Sequence, residues 1–166
     1  LVSDLATTLP EDRAGGLMSI GKMYLANDRG AEALGYFDLA AEAQPRLLDT
    51  PDFLAVRAAA RTLIGQYDLA YDDLKQQSLN LYPDIDLWRA FVLAHLQDWQ
   101  QAGQKLRQSD TGYARQYPRD IGLPMLLTFA EIMLREGKIT DAQKFLSSID
   151  PGAGELPTYM KPAMMG

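Results

Sequence analysis

The chain has 166 residues, 47% apolar and 23% charged, enough for one domain of ordinary size with a sizeable core. It carries no cysteine and one histidine, which excludes disulfides, thiolate metal sites and a histidine-built transition-metal centre. A formal net charge of −6 argues against nucleic acid as the main partner, and the longest apolar run falls far short of the ~20 residues that span a bilayer.

From the amino end, residues 1–13 read as a cap or the remnant of a preceding helix. Leu17, Ile20, Gly21 and Tyr24 then fall on one helical stripe. Asp28-Arg29-Gly30 breaks it, and a second helix carries Ala33, Leu34, Phe37, Leu39 and Ala40. Pro45 ends that helix, because proline lacks the N–H and its ring clashes one turn back. Thr50-Pro51 reads as an N-cap and first helical residue. The helix after it puts Arg57 and Arg61 where large apolar residues are expected, and a one-residue slip makes Ala58 and Ala59 the contact pair. Gly65-Gln66 is the next break, followed by Tyr67, Ala70 and Leu74, then Pro83. "IDLWRAFVLAHL" is helical but does not choose one register. Gln97-Asp98 separates it from Trp99, Ala102 and Leu106. From Trp99 to Tyr117 only Gly103 and Gly112 interrupt, which predicts an extended helix or a kink near Gly112. After Pro118, Leu126, Phe129, Ala130 and Met133 share a stripe. Glu136-Gly137 breaks it, Thr140 with Gln143 resembles a capping box, and Ala142 and Leu146 follow before Pro151. Residues 151–166 are rich in Pro and Gly, carry Met160, Met164 and Met165, and read as an irregular tail available for self-association. Strand signals are nearly absent, so the fold class is all-α.

The unit is helix, tight turn, helix, proline break. The prolines recur about every 35 residues, a period that marks a helical-hairpin solenoid. Leu17-x2-Ile20-Gly21-x2-Tyr24, Ala33-x3-Phe37 and Pro45 follow the tetratricopeptide pattern with conservative changes at its Trp and Leu positions. Leu126-x2-Phe129-Ala130-x2-Met133, Gly137 and Ala142-x3-Leu146 follow it again. The chain therefore resembles the tetratricopeptide (TPR) repeats over roughly residues 14–150. The resemblance implies a right-handed α-solenoid of about four antiparallel hairpins, with units near 14–47, 51–83, 84–118 and 119–150. Gly21 and Ala33 would let paired helices approach, Tyr24 and Phe37 would fill the space beside them, and Ala40 would receive the next unit.

No GxSxG, GxxxxGK[ST] or strand-borne GxGxxG occurs, and "PGAG" at 151–154 is a loop. His95 reads as a helix-end histidine, Asp72-Asp73 as a solvated face, and Trp88 and Trp99 as packing or groove residues. No catalytic residue, metal ligand or cofactor is assigned. The expected function is non-catalytic protein–protein interaction, as a scaffold binding a peptide or protein in a concave groove, which in such repeats is lined by the first helix of each pair. Those helices carry Lys22, Arg57, Arg61, Arg89 and Arg135, and the second helices of the first two units are acidic: Glu32, Asp38, Glu42, Asp68, Asp72 and Asp73. Lys22, Arg57, Arg61, Trp88 and Arg89 are the groove candidates, and an acidic partner held by arginine is the expected chemistry. The competing expectation for Arg57 and Arg61 is pairing with Asp84 or Asp86. The family's carboxylate-clamp pattern is not reproduced, since Met18 stands where its second Lys would fall. A different expectation makes the chain the helical scaffold or regulatory part of a larger enzyme or regulator, since it starts at Leu1 rather than Met. Freedom from cysteine suits a cytoplasmic and a periplasmic location alike.

Overall fold

The computed structural model describes residues 9–149, all of it helix and connecting turns with no strand among the described residues. The expectations for residues 1–8 and for the 151–166 tail lie outside this range. In order, the helices are α1 (Pro10–Ala26), α2 (Gly30–Ala43), α3 (Pro51–Leu63), α4 (Tyr67–Leu74), α5 (Ile85–His95), α6 (Trp99–Arg107), α7 (Arg119–Arg135) and α8 (Ile139–Ser147). Short 3-10 segments at Pro45–Asp49, Gln77–Leu81 and Thr111–Gln116 join α2 to α3, α4 to α5 and α6 to α7. Each helix packs on the next in sequence; α1 also packs on α3, and α5 on α7.

The turns inside the pairs are one structure repeated. Asp28 (φ 57°), Gly65 (77°), Gln97 (64°) and Gly137 (78°) each take the left-handed conformation. The N–H of the left-handed residue donates to the carbonyl three residues back: Leu25 (3.1 Å), Thr62 (3.1 Å), Ala94 (3.0 Å) and Leu134 (3.0 Å). The next N–H, from Arg29, Gln66, Asp98 or Lys138, reaches back to Tyr24 (3.0 Å), Arg61 (2.9 Å), Leu93 (3.0 Å) or Met133 (2.9 Å). This is the Schellman closure, which satisfies carbonyls that a helix end leaves without partners. The same residue then caps the following helix: the carbonyls of Arg29, Gln66, Asp98 and Lys138 accept from the N–H of Ala33 (3.0 Å), Ala70 (2.9 Å), Ala102 (3.0 Å) and Ala142 (3.0 Å).

With the turns as a common origin, the register of every pair is fixed. Ala33, Ala70, Ala102 and Ala142 are fully buried, and one helical turn further on Phe37, Leu74, Leu106 and Leu146 are buried as well. On the preceding helices the equivalent small residues are Gly21, Ala58, Ala90 and Ala130, all buried. A Cβ on Gly21 would come within 2.5 Å of the Phe37 ring, so the glycine is what lets that ring lie against α1. Phe37 in turn meets Phe53 of α3 edge-on, at 6.3 Å between ring centres. Gly122 is tighter still, since its Cβ would stand 2.4 Å from the Ala114 carbonyl oxygen, which is backbone and cannot swing aside. The inner helices bury two faces. On α3, Phe53 and Ala60 join Leu17, Ala33 and Phe37, while Leu54 and Ala58 join Leu74, Leu87 and Phe91.

Two local expectations are corrected and a third is met in position. The stretch from Trp99 to Tyr117 is neither one helix nor kinked at Gly112: α6 stops at Arg107, and the Asp110 carboxylate accepts from the Gly112 N–H at 2.8 Å to start a 3-10 turn. Thr140 lies inside α8, because the Schellman turn makes Lys138 the N-cap. Thr50 is the N-cap of α3 and Pro51 its first residue, as expected, while the Thr50 hydroxyl donates back to the Leu47 carbonyl at 2.8 Å and makes no capping bond.

Candidate functional site

A cleft with a volume of about 220 Å³ opens between α3, α5 and α7. Every residue lining it comes from α3, α5 or α7, except Asp28 from the turn that follows α1. Thr62 and Leu63 form the α3 side, Trp88 and Phe91 the α5 floor, and Asp120, Ile121, Pro124 and Met125 the α7 side. The opening exists because α3 and α5 pack less on each other than α1 on α3 or α5 on α7. Met125 is fully buried and Phe91 nearly so, so they anchor the cleft to the core, while Trp88, Leu63 and Pro124 face it beside Asp28 and Asp120.

Trp88 is the part of this floor set by polar bonds. Its indole N–H donates to the Tyr117 hydroxyl at 2.9 Å, and the two rings meet edge-on at 5.6 Å. The Tyr117 hydroxyl in turn donates a hydrogen bond to the Asp84 carboxylate. Burial, helped by the neighbouring Asp84 charge, holds the Tyr117 phenol well above its ordinary value, so it stays a neutral donor. Asp84 is the N-cap of α5, Trp88 lies in its second turn, and Tyr117 closes the joint to α7. Residues far apart in sequence thus fix the orientation of one aromatic ring in the cleft.

The cationic candidates have other surroundings. Arg57 grips Asp73 with two bonds, Nε to Oδ2 at 2.9 Å and Nη2 to Oδ1 at 2.7 Å. Arg61 donates to the same carboxylate at 2.8 Å and to the Leu69 carbonyl at 3.2 Å. Asp73 is 4% exposed, so it is a buried counter-ion for two arginines rather than part of a solvated face; Asp72 is the exposed member, paired with Lys75. The partner of Arg57 and Arg61 is therefore within their own hairpin, not Asp84 or Asp86. Arg89 is 6% exposed and ties the α4–α5 joint: Nε donates to the Leu74 carbonyl (2.7 Å), Nη2 to the Gln76 carbonyl (3.1 Å), and Nη1 to Asn80 Oδ1 (2.8 Å) and Asp86 (3.1 Å). Lys22 reaches across from α1 to Asp52 of α3 at 2.8 Å, on the surface. Arg135 lies over the Trp99 ring at 3.9 Å and pairs with Glu131. Of the five groove candidates, only Trp88 lines the cleft.

The charges that do line it are Asp28 and Asp120, and neither makes an ion pair among the described residues. Sequence reasoning passed over both. Asp28 carried a signal, since it stands at a left-handed position that Gly65 and Gly137 fill elsewhere; Asp120 looks like any acid in a first helical turn. His95 ends α5 as expected, stacked on Tyr67 at 4.4 Å, with Nδ1 2.9 Å from the Phe91 carbonyl. A second cleft of about 300 Å³ lies between α6, α7 and α8, lined by Leu106 and Met133 as well as by the Arg107–Glu136 and Lys138–Glu136 pairs. No group of three or more Asp, Glu, His or Cys gathers in metal-binding fashion among the described residues, and no helix there is long and apolar enough to cross a membrane. No family model matches the chain, and no curated protein or solved structure matches it either.

Proposed function

We propose that the chain is a non-catalytic protein–protein interaction module, a right-handed stack of tetratricopeptide-like hairpins that receives a peptide or an extended segment of a partner in the cleft on the odd-numbered helices. The observation that carries the reading is the composition of that cleft. Its walls come from successive first helices, and its one tryptophan is fixed in advance by Tyr117 and Asp84. A preset aromatic ring loses little freedom on binding, and aromatic side chains dominate the energy of protein interfaces. The recurring turn supports the solenoid part of the reading, because one closure repeated in every hairpin gives the two helices of each pair the same relation.

Photo-crosslinking separates this reading from its competitors. A benzophenone amino acid replacing Leu63, at the wall of the cleft, is expected to capture a partner from the source cell, and one replacing exposed Leu69 of α4 is not. Equal capture from both positions, or capture from Leu69 alone, overturns the proposal. Charge reversal at Arg57 and Arg61 would be a poor substitute, because it strips Asp73 of its counter-ions before it reports on any partner.

A further inference from the structure

The charge of the cleft specifies its occupant beyond the general reading, on which this step rests. We infer that the cleft takes a cationic segment: an apolar side chain seated against Trp88, Leu63 and Pro124, with a lysine or arginine on either side of it reaching Asp28 and Asp120. The argument is charge complementarity around a partly exposed aromatic ring. The arginines next to Trp88 and on α3 are held elsewhere: Arg89 by the carbonyls of Leu74 and Gln76, and Arg57 and Arg61 by Asp73. What remains at the walls is two carboxylates and no cation. The chain as a whole carries −6, which adds attraction toward a basic segment at long range and repels an acidic one. This reverses the sign of the partner suggested by the arginines in the sequence.

Asp28 gives the inference an unusually clean test. It occupies a left-handed position at φ 57°, where a side chain is less favourable than glycine, and the same position is glycine in the second and fourth turns. Asp28→Gly therefore removes the carboxylate while leaving the fold as stable or more so. Asp120→Asn removes the other with the side-chain shape kept.

The experiment pans a phage-displayed library of random twelve-residue peptides against the full chain. Affinities of the enriched peptides follow from Trp88 emission in a Trp99→Phe background. The expected result is enrichment of peptides with an apolar residue flanked by Lys or Arg, and a change in Trp88 emission on binding. Asp28→Gly with Asp120→Asn should weaken binding about ten-fold at low salt and only about two-fold at high salt, since exposed charge pairs are screened. Circular dichroism melting should show the double variant folded. Enrichment of acidic or uncharged peptides that still perturb Trp88, or affinities that ignore the double variant, overturns the cationic occupant and leaves the cleft reading standing. Peptides that bind without touching Trp88, or no enrichment at all, overturn both.

Discussion

The first and second hairpins close through the same turn and bury small residues at the same crossings, yet the space beside those crossings is filled by opposite chemistry. In the first hairpin Ile20 is buried and Tyr24 stacks on Tyr36, ring centres 5.3 Å apart and planes 12° from parallel. In the second the equivalent positions hold Arg57, Arg61 and Asp73, joined by the bonds described above. The backbone relation of two helices is thus set by the alanines, the glycine and the turn, and not by the nature of the filler. An aromatic pair and a carboxylate between two guanidiniums occupy similar volume. They differ in what happens when one member is lost. A stacked pair loses contact area, whereas the triad leaves buried charge without a partner.

Removing Asp73 is accordingly the largest effect expected. Arg57 and Arg61 have side chains 16% and 18% exposed, so Asp73→Ala strands two cations in a mostly dry joint and should cost about 3 kcal/mol. Tyr36→Ala in the first hairpin should cost about half of that, because no charge is uncovered. The triple exchange Arg57→Ile, Arg61→Tyr, Asp73→Tyr writes the first hairpin's residues into the second. Urea unfolding should show it within about 1 kcal/mol of the parent, since an apolar set of similar volume often matches a buried ionic one. A triple variant as unstable as Asp73→Ala would mean that the two hairpins differ in backbone geometry after all.

The third hairpin adds a joint held by a polar network with a single carboxylate. Its joint to α7 is closed by Trp88, Tyr117 and Asp84, and the phenol is the titrating member. Burial and Asp84 raise the Tyr117 pKa in the folded chain above its ordinary value of 10.0. Stability from a raised pKa is fully present below the unfolded value and is lost as pH climbs toward the folded one, so the chain should weaken above about pH 10. Tyr67, raised by burial alone, adds to the same slope. Tyr117→Phe should cost about 1–2 kcal/mol at neutral pH, through the two lost hydrogen bonds, and should flatten the alkaline slope. An unchanged slope would place the alkaline loss on Tyr67 or elsewhere.

How much of this was legible in the sequence follows from the range of each signal. The small residues, the helix breaks and the proline joints are local, and they located the helices and their pairing. The register of α5 was not legible, because Ile85, Leu87, Ala90, Phe91, Val92, Leu93 and Ala94 are all buried and no polar face remains to orient it. Only the left-handed Gln97 sets it, and glutamine gives no hint of a left-handed turn. Asp73 was misread because its two partners lie a helix away, and its neighbour Asp72 is solvated. The cleft was half legible: Trp88 was singled out, whereas Phe91 and Met125 looked like ordinary core and Asp28 and Asp120 like ordinary turn and helix-start acids.

The smallest expected effect tests whether the first hairpin carries slack that the second does not. Gly35 lies in the middle of α2, is exposed, and would meet nothing within 4 Å if given a Cβ. Its equivalent after the second turn is Asp72, which has a side chain and a Lys75 partner. Unlike Gly21, Gly35 has no packing reason to be glycine, and a mid-helix glycine costs roughly 0.5–1 kcal/mol relative to alanine. Gly35→Ala should therefore raise the melting temperature by a few degrees, whereas Gly21→Ala, driven into the Phe37 ring, should lower it. Thermal melts of the two single variants read the comparison directly. If Gly35→Ala destabilises instead, α2 meets a neighbour on that face that the hairpin alone does not provide.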